Sequence, residues 1–274
     1  MTGAALVRDT AARLAAGGIP DAQSDARRLV AHALGIEPGA VSLWDGTADD
    51  ACLARLKAAV AARLARQPVS QIVGRRDFWK HRLAVTRDTL DPRPETETLV
   101  AEALKLPWRT VLDLGTGTGA ILVSLLADRP GTTGQGVDLS PAAVAVARLN
   151  AATVGVAAQF AVSDWFDGVT GRFDLIVANP PYIAAAEMAG LAPEVRDWEP
   201  RLALTDEGDG LSAYRVIAAG AGAHLTPGGW LVVEIGAAQG PAVAELFRAA
   251  GLADVAVRPD LDGRDRVVTG HWPG

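Results

Sequence analysis

One heptapeptide decides the fold that the sequence predicts: Asp113-Leu114-Gly115-Thr116-Gly117-Thr118-Gly119. It follows a short apolar strand pattern, Thr110–Leu114, and precedes a helical pattern over Ala120–Ala127. Glycines at a strand-to-helix turn let the backbone approach a ligand closely and let the helix pack near the strand. A tight turn with a purely structural role is the alternative interpretation.

The glycine spacing and the acidic residue before it indicate the class of ligand. The pattern is G-x-G-x-G, whereas dinucleotide-binding folds carry G-x-G-x-x-G. The negative charge of a carboxylate at Asp113 would repel a pyrophosphate and attract an ammonium group. The heptapeptide therefore favours an amino-acid-bearing cofactor over NAD, with contacts expected from Asp113, Gly115, Thr116, Gly117, Thr118 and Gly119.

Strand and helix patterns alternate from residue 110 onward, which predicts a mostly parallel sheet with helices on both faces. The predicted strands after the heptapeptide are Gly134–Val137, Ala157–Val162, Phe173–Val177, Trp230–Ile235, Val255–Arg258 and Arg266–Thr269. The predicted helices between them are Pro141–Ala152, Leu211–Ala223 and Pro241–Ala250.

Two further acidic positions follow predicted strands. Asp138 ends the second strand, 23 positions after Gly115, where an acidic side chain binds ribose hydroxyls in nucleoside-binding α/β folds. Its alternative role is to help cap the helix that begins at Ser140-Pro141. After the third strand, Asp164 could accept a hydrogen bond from an adenine amino group and Trp165 could cover the base. A core tryptophan is the competing interpretation for Trp165.

The most specific motif is Asn179-Pro180-Pro181-Tyr182, directly after the strand that ends at Val177. An amide or exocyclic amine nitrogen is a poor nucleophile because its lone pair is delocalised. The Asn179 side chain and the Pro180 carbonyl can accept its N–H groups and stabilise the positive charge that develops as a methyl group arrives. The prolines make the turn rigid, and Tyr182 can pack on the planar group. A proline-rich turn without chemistry is the alternative.

The first third of the chain has a different character. Residues 1–68 read as a small helical domain, with Asp21 and Ser24 as N-cap candidates and Gly35 as a helix stop. Residues 69–90 predict a short strand pair or an extended linker, and residues 91–274 the α/β domain. Pro94 and the glutamates around it are typical of a helix start; the sharper interpretation is that this segment borders the active site.

Composition excludes several classes of protein. The single cysteine, Cys52, rules out an intrachain disulfide, and four scattered histidines lack metal-ligand spacing, so we expect no metal site. A net charge of −6 without a basic run argues against broad nucleic-acid binding. The first nine residues do not resemble a secretory signal, and no stretch is apolar enough to span a bilayer. We expect a soluble cytoplasmic protein.

The chain resembles the HemK/PrmC family, the N5-glutamine methyltransferases that act on peptide chain release factors. The resemblance spans about residues 65–270 and includes the heptapeptide and Asn179–Tyr182, which other methyltransferases share. Its more discriminating segments are Arg93-Pro94-Glu95-Thr96-Glu97, Glu199-Pro200-Arg201-Leu202-Ala203-Leu204 and Gly263-Arg264-Asp265-Arg266-Val267.

The resemblance implies a seven-stranded Rossmann-like class I methyltransferase domain with a small N-terminal helical domain. It implies S-adenosylmethionine contacts at Gly115–Gly119, Asp138, Trp165 and Asn179. Asn179–Tyr182 would hold the side-chain amide of the glutamine in the release factor's Gly-Gly-Gln loop, and the N-terminal domain would grip the release factor.

Two alternatives remain open at this point. One is an N-methyltransferase for an exocyclic amino group of a nucleic-acid base, because such enzymes use the same N-P-P-Y motif on a flipped base. The acidic charge and the missing basic module argue against it. The other is a cofactor-binding partner that has lost activity, which the intact Asp113, Asp138 and Asn179 argue against.

Overall fold

The computed structural model describes residues 2–274 as two compact units. The N-terminal unit consists of residues 2–75 together with Ala192–Trp198, and the sheet unit of Arg76–Leu191 and Glu199–Gly274. No helix within these described residues is long and apolar enough to cross a membrane.

The N-terminal unit is helical, as the sequence predicts. Its α-helices are α1 (Gly3–Ala16), α2 (Ala22–Leu34), α3 (Asp50–Leu64) and α4 (Val69–Val73), with a 3-10 helix at Pro38–Leu43 and a one-turn helix at Pro193–Arg196. The Asp49 side chain caps α3 by accepting the Cys52 N–H at 2.7 Å. Gly35 ends α2 in the left-handed conformation, as expected for a helix stop.

The spacing of Leu53, Leu56, Val60 and Leu64 predicts one apolar face of α3, and the buried face of the helix is rotated from it. Leu56 and Val60 are buried, whereas Leu53 and Leu64 are exposed. The stripe that meets the core is completed by Cys52, Ala59 and Arg63, so the two exposed leucines lie along one edge of it. Small residues and a buried arginine therefore complete the face in place of larger apolar side chains.

Arg63 is the centre of a buried ion pair in the N-terminal unit. Its Nε lies 2.7 Å from Asp25 Oδ2, with the two side chains only 8% and 11% exposed, and its Nη1 lies 3.0 Å from Glu194. Arg63→Met should lower the free energy of unfolding by about 3–5 kcal/mol, because it leaves a buried carboxylate without its cation. Urea denaturation of the full chain measures the effect.

Arg66→Met is the matched control for this prediction. Arg66 contacts the same Glu194 at 3.4 Å, but its side chain is 32% exposed. Its replacement should cost less than about 1 kcal/mol, because exposed ion pairs contribute little. Equal losses of unfolding free energy in Arg63→Met and Arg66→Met would contradict the prediction that burial makes the Arg63 ion pair the more important one.

The region expected to be a strand pair or linker, residues 69–90, is divided between the units. Its first five residues form α4, whose Val69 is buried against the N-terminal core. A hairpin of β1 (Arg75–Phe78) and β2 (His81–Ala84) follows. Gly74 separates helix from hairpin in a left-handed conformation. The apolar residues before Gly74 thus form a helix of the N-terminal unit, whose first segment extends to Arg75.

The sheet unit carries a seven-stranded sheet in the order β5-β4-β3-β6-β7-β9-β8. These strands are β3 (Thr110–Leu114), β4 (Thr133–Asp138), β5 (Gln159–Val162), β6 (Phe173–Ala178), β7 (Leu225–Glu234), β8 (Ala253–Pro259) and β9 (Asp265–His271). Pairings from β5 through β7 are parallel, and β9 runs antiparallel to both neighbours. The predicted Rossmann-like class is confirmed.

Helices cover both faces of this sheet. They are α5 (Glu97–Lys105), α6 (Ala120–Asp128), α7 (Pro141–Val154), α8 (Arg201–Leu204), α9 (Ser212–His224) and α10 (Gly240–Ala249). Two 3-10 helices, Pro94–Thr96 and Ala185–Gly190, complete the unit.

Alternate residues of the central strands enter different cores. On β3, Val111 packs in one apolar cluster and Leu112 in the other; on β6, Leu175 and Ile176 divide in the same way. Successive side chains of a strand point to opposite faces, so a strand covered on both faces reads as a continuous apolar run. Because β3 to β6 are parallel, their carboxyl ends, and the motifs that follow them, meet at one edge of the sheet.

Candidate active site

A cavity of about 480 Å³ lies in the sheet unit at the edge where the parallel strands end. Its size is within the usual range for small-molecule sites. The predicted site residues that line it are Gly115, Thr116, Gly117, Thr118, Asp138, Asp164, Trp165, Asn179, Pro180 and Pro181. Three others, Asp113, Gly119 and Tyr182, lie outside its wall.

The three glycines of the heptapeptide have different tasks. All have positive φ, +69° at Gly115, +55° at Gly117 and +77° at Gly119, which disfavours side chains there. A Cβ on Gly119 would lie 3.2 Å from Ala147 of α7, whereas one on Gly115 or Gly117 would meet nothing nearer than 4.0 Å. Gly119 therefore allows helix packing, and the other two leave space at the cavity for a ligand.

Asp138 connects the glycine turn to the next helix. Its Oδ2 accepts the Gly117 N–H at 2.8 Å and its Oδ1 accepts the Ser140 N–H at 2.9 Å. Burial raises the pKa of the carboxyl group, and these two backbone hydrogen bonds oppose the rise. The Ser140 hydroxyl caps α7, whereas Asp138 also lines the cavity and so lies where the predicted ribose-binding role requires.

Asp113 lies beneath the glycine turn. Its carboxyl group is fully buried, and Oδ2 accepts the Thr116 hydroxyl at 2.6 Å. Burial raises its pKa to about 7, against the opposing effect of the Thr116 hydrogen bond. Since Asp113 does not line the cavity, its predicted contact with a cofactor ammonium group stays a prediction. The hydrogen bond from the Thr116 hydroxyl instead gives Asp113 a structural role, because it holds the glycine turn in place.

The raised pKa of Asp113 predicts a pH-dependent stability. Between about pH 4 and pH 7 the native carboxyl group holds a proton that the unfolded one has lost, so its contribution to stability falls as pH rises through this range. Asp113→Asn removes the titration. Its melting temperature relative to the parent protein should rise by at least about 2 °C between pH 5 and pH 8.

Thermal denaturation at several pH values checks this expectation. Asp167→Asn serves as the control because Asp167 is exposed, and its melting temperature should follow that of the parent protein throughout. A constant difference between Asp113→Asn and the parent at every pH would show that Asp113 does not titrate in this range.

The segment after β5 forms another part of the wall. Asp164 is exposed at the cavity and Trp165 is half-buried. Trp165 has a φ of +45°, unusual for a bulky residue, and the Ser163 hydroxyl donates to its carbonyl at 3.0 Å. The indole lies 4.0 Å from a Cβ built on Gly115. This backbone directs the ring toward the glycine turn, where it could cover a planar ligand.

The motif after β6 brings its polar side chain to the same cavity. Asn179 follows the buried Ala178, and its Nδ2 donates to the Thr96 hydroxyl oxygen at 3.3 Å. Pro180 and Pro181 line the cavity beside it. Tyr182 packs against the sheet core, and its carbonyl accepts Gln239 Nε2 at 2.9 Å. Burial, aided by Glu234, raises the pKa of Tyr182 to about 12, so its phenol is neutral.

Some residues that line the cavity were not given a chemical role in the sequence analysis. Arg93 lines the cavity and pairs with Glu199, whose side chain is 1% exposed, at 2.6 Å. Burial raises the pKa of Glu199 to about 7, and the Arg93 charge opposes the rise. Thr96 also lines the cavity, which supports the interpretation that residues 91–97 border the site. In the sequence, the helix-start pattern around Pro94 was the feature that pointed to this segment.

The loop before α9 contributes Asp206, which sequence reasoning missed. Its carboxylate accepts backbone N–H groups of Gly208, Gly210 and Ser212 at 2.8–3.0 Å. These bonds, together with one from the Ser212 hydroxyl, outweigh burial and lower its pKa to about 2. The ionised carboxylate thus orders a loop that forms part of the cavity wall.

Metal ligands do not cluster in the part of the chain that the structure describes. No three His, Cys, Asp or Glu side chains of residues 2–274 are placed together as a metal ion would require.

Comparisons with known proteins agree with this arrangement. A family model described as "Methyltransferase small domain" matches residues 78–194, and one described as "PrmC N-terminal domain" matches residues 5–74. The release factor glutamine methyltransferase of Cereibacter sphaeroides is 61% identical over 100% of this chain and 99% of its own length. That of Rhodospirillum rubrum is 48% identical over 93% of this chain and 80% of its own.

Solved structures support the fold alone. A methyltransferase from Pyrococcus furiosus superposes with a TM-score of 0.55 at 17% identity, covering 70% of this chain and 88% of its own.

Proposed function

The chain belongs to the family of release factor glutamine methyltransferases, and we propose that it methylates the side-chain amide nitrogen (N5) of the glutamine in the Gly-Gly-Gln motif of peptide chain release factors. S-adenosyl-L-methionine is the methyl donor. One observation carries the proposal: a single cavity joins the open glycine turn and Asp138 to Asn179-Pro180-Pro181.

The residues present fit S-adenosylmethionine. Gly115 and Gly117 leave open space beside the backbone, Asp138 offers carboxylate oxygens to ribose hydroxyls, and Trp165 offers an aromatic face to the adenine. When bound, the cofactor supplies an electrophilic methyl group on a sulfonium centre. Asp164 would accept a hydrogen bond from the adenine amino group, and the exposed Leu139 adds apolar wall to the cavity.

Asn179 and Pro180 hold the substrate amide. Because Asn179 Nδ2 is bound to Thr96, the side-chain oxygen is the end left to accept an N–H of the substrate. The Pro180 carbonyl accepts the second N–H. Together they orient the nitrogen and stabilise positive charge as it develops. The nitrogen loses its proton after methyl transfer, when that proton has become acidic, so no strong general base is needed.

The N-terminal unit is the proposed docking element for the release factor. The family model for residues 5–74 and the 61% identity over the full chain support a shared partner. A cytoplasmic location is part of this proposal, because release factors act at the ribosome. Direct nucleic-acid binding is not part of it, in keeping with the net charge of −6.

Methyl transfer from labelled S-adenosylmethionine to a purified bacterial release factor tests the function. The matched control is the same factor with the Gly-Gly-Gln glutamine changed to alanine. Label on the intact factor alone is expected and identifies substrate, residue and reaction together. Absence of label on both factors, with the cofactor bound, would refute the proposal and make tRNA, rRNA and DNA the next substrates.

A further inference from the structure

The motif after β6 contains two residues that cannot hold their own backbone in place. Pro180 and Pro181 have no N–H group, so neither can donate a backbone hydrogen bond. The Pro180 carbonyl is also the group that must be left for the substrate amide. The position of this carbonyl therefore depends on what holds the chain before and after the two prolines.

The chain is held on both sides of the prolines by different elements. Before them, Ala178 is the last residue of β6 and is paired with Leu114 of β3 and Val233 of β7. After them, the Ile183 N–H donates to the Leu204 carbonyl at 3.0 Å. The residue that directly follows the prolines, between these two contacts, is held by a side chain from a third part of the chain.

That side chain is Gln239, which connects three backbone segments. Its Nε2 donates to the Tyr182 carbonyl at 2.9 Å and to the Gly210 carbonyl at 3.2 Å. Its Oε1 accepts the Gly236 N–H at 2.9 Å. A Cβ on Gly210 would clash with the Tyr182 carbonyl oxygen, so these two segments meet backbone to backbone. A primary amide has two donor hydrogens, and here both fasten the chain around Tyr182.

The residue type at position 239 is not explained by the helix that it precedes. Gln239 is the N-cap residue of α10, a position where Ser, Thr, Asp and Asn are preferred because their side chains accept N–H groups of the first turn. Among the residues that the structure describes, the Gln239 side chain makes no such capping bond. Its hydrogen bonds go to backbone groups outside α10, so the amide serves the loops at this edge of the sheet.

We propose that Gln239 is a positioning residue: by holding the Tyr182 carbonyl, it fixes the Pro180 carbonyl toward the substrate amide. The inference rests on the proposed function for its kinetic effect, whereas the hydrogen bond to Tyr182 can be measured without a substrate. In the proposed reaction the Pro180 carbonyl accepts an N–H of the amide while positive charge develops on the nitrogen. A small displacement of this carbonyl therefore lowers kcat.

The kinetic test compares Gln239→Met with Gln239→Glu. Methionine has nearly the length of glutamine and removes all three hydrogen bonds. Glutamate keeps an oxygen for the Gly236 N–H but, when ionised, has no hydrogen to donate. Both variants should lower kcat on the release factor by about 10-fold or more, because misplacing a group that orients the substrate is costly. Both should bind S-adenosylhomocysteine as the parent protein does, since the glycine turn and Asp138 are unchanged.

Gln159→Met is the matched control. Gln159 is an exposed glutamine at the start of β5, and the same substitution there should leave kcat unchanged. Parent-like kcat in Gln239→Glu would overturn the inference, because this variant lacks the donor to Tyr182. Parallel losses of kcat and S-adenosylhomocysteine affinity in both Gln239 variants would also overturn it, since they would indicate general damage to the cavity.

An NMR measurement tests the hydrogen bond itself. The chain has two tyrosines, and Tyr182 precedes an isoleucine whereas Tyr214 precedes an arginine. Tyrosine labelled with 13C at its carbonyl and isoleucine labelled with 15N therefore give one coupled signal, from the peptide group between Tyr182 and Ile183. The carbonyl shift should move in Gln239→Met and Gln239→Glu and stay in place in Gln159→Met.

This signal also separates the inference from the proposed function. An unmoved carbonyl shift in Gln239→Met would refute the positioning role, whatever the kinetic result. If the proposed function were wrong, the parent protein would transfer no label to the release factor, and the carbonyl shift would still decide whether Gln239 holds the residue after the two prolines.

Discussion

Asn179→Ala is expected to lower turnover on the release factor about 100-fold or more while the protein still binds S-adenosylhomocysteine. Removing one preorganised hydrogen-bonding group from a transition state typically costs two to three orders of magnitude in kcat. Asn179 is suited to this role because its Nδ2 is bound to Thr96 and its side chain lines the cavity beside Pro180. The substrate nitrogen would lose both its orientation and the oxygen that stabilises its developing charge.

Labelled-methyl transfer under saturating cofactor measures this loss, and calorimetric titration with S-adenosylhomocysteine provides the control. The affinity should stay within about threefold, because the glycine turn and Asp138 are unchanged. Near-normal turnover by the purified, folded variant would show that Asn179 does not hold the substrate amide. A proportional loss of cofactor affinity would place the effect on the cofactor.

Asp138→Ala should weaken cofactor binding by about 30-fold or more. The variant loses the hydrogen bond that holds the Gly117 N–H at 2.8 Å and the proposed acceptor for the ribose hydroxyls. Hydrogen bonds to a charged group contribute about 1.5–3 kcal/mol each, and one such bond already corresponds to more than a tenfold change in affinity. Titration with S-adenosylhomocysteine measures the change.

Ser140→Ala is the control for a loss of stability at the start of α7 without loss of the Asp138 carboxylate. The Ser140 hydroxyl caps α7 by accepting the Ala143 N–H at 3.2 Å, so its loss should cost about 1 kcal/mol of stability with nearly unchanged cofactor affinity. If Asp138→Ala also lost only stability and kept its affinity, the ribose-binding role would be wrong and Asp138 would only hold the glycine turn and the Ser140 N–H in place.

Much of the fold was predictable because its elements are short-range patterns. The strand Thr110–Leu114 has the predicted bounds, and α6 and α7 begin at the predicted Ala120 and Pro141. Each start coincides with a local signal, a glycine turn or a Ser-Pro cap. The other predicted strands exist with shifted ends, and β7 begins at Leu225, five residues before the expected Trp230. Its early residues, including Gly228 and Gly229, carry no strand pattern.

Residues of the candidate site were also predictable where the role of a residue depends on its own chemistry alone. The glycine turn follows from the backbone freedom of glycine, and the acidic residue after the second strand and the Asn179–Tyr182 motif follow from the chemistry of their own residues. Most of these residues line one cavity, because the carboxyl ends of parallel strands share an edge.

The sequence by itself therefore determined the order of strands and helices and most of the predicted residues that line the cavity, because these depend on neighbours within one turn or strand. Only the tertiary structure decided which distant side chains meet. Thr96 reaches Asn179 across 83 positions, and Arg93 reaches Glu199 across 106. Packing likewise withdrew Asp113 beneath the glycine turn and joined Ala192–Trp198 to the N-terminal unit. Such contacts depend on how whole elements pack, and no local pattern in the chain encodes them.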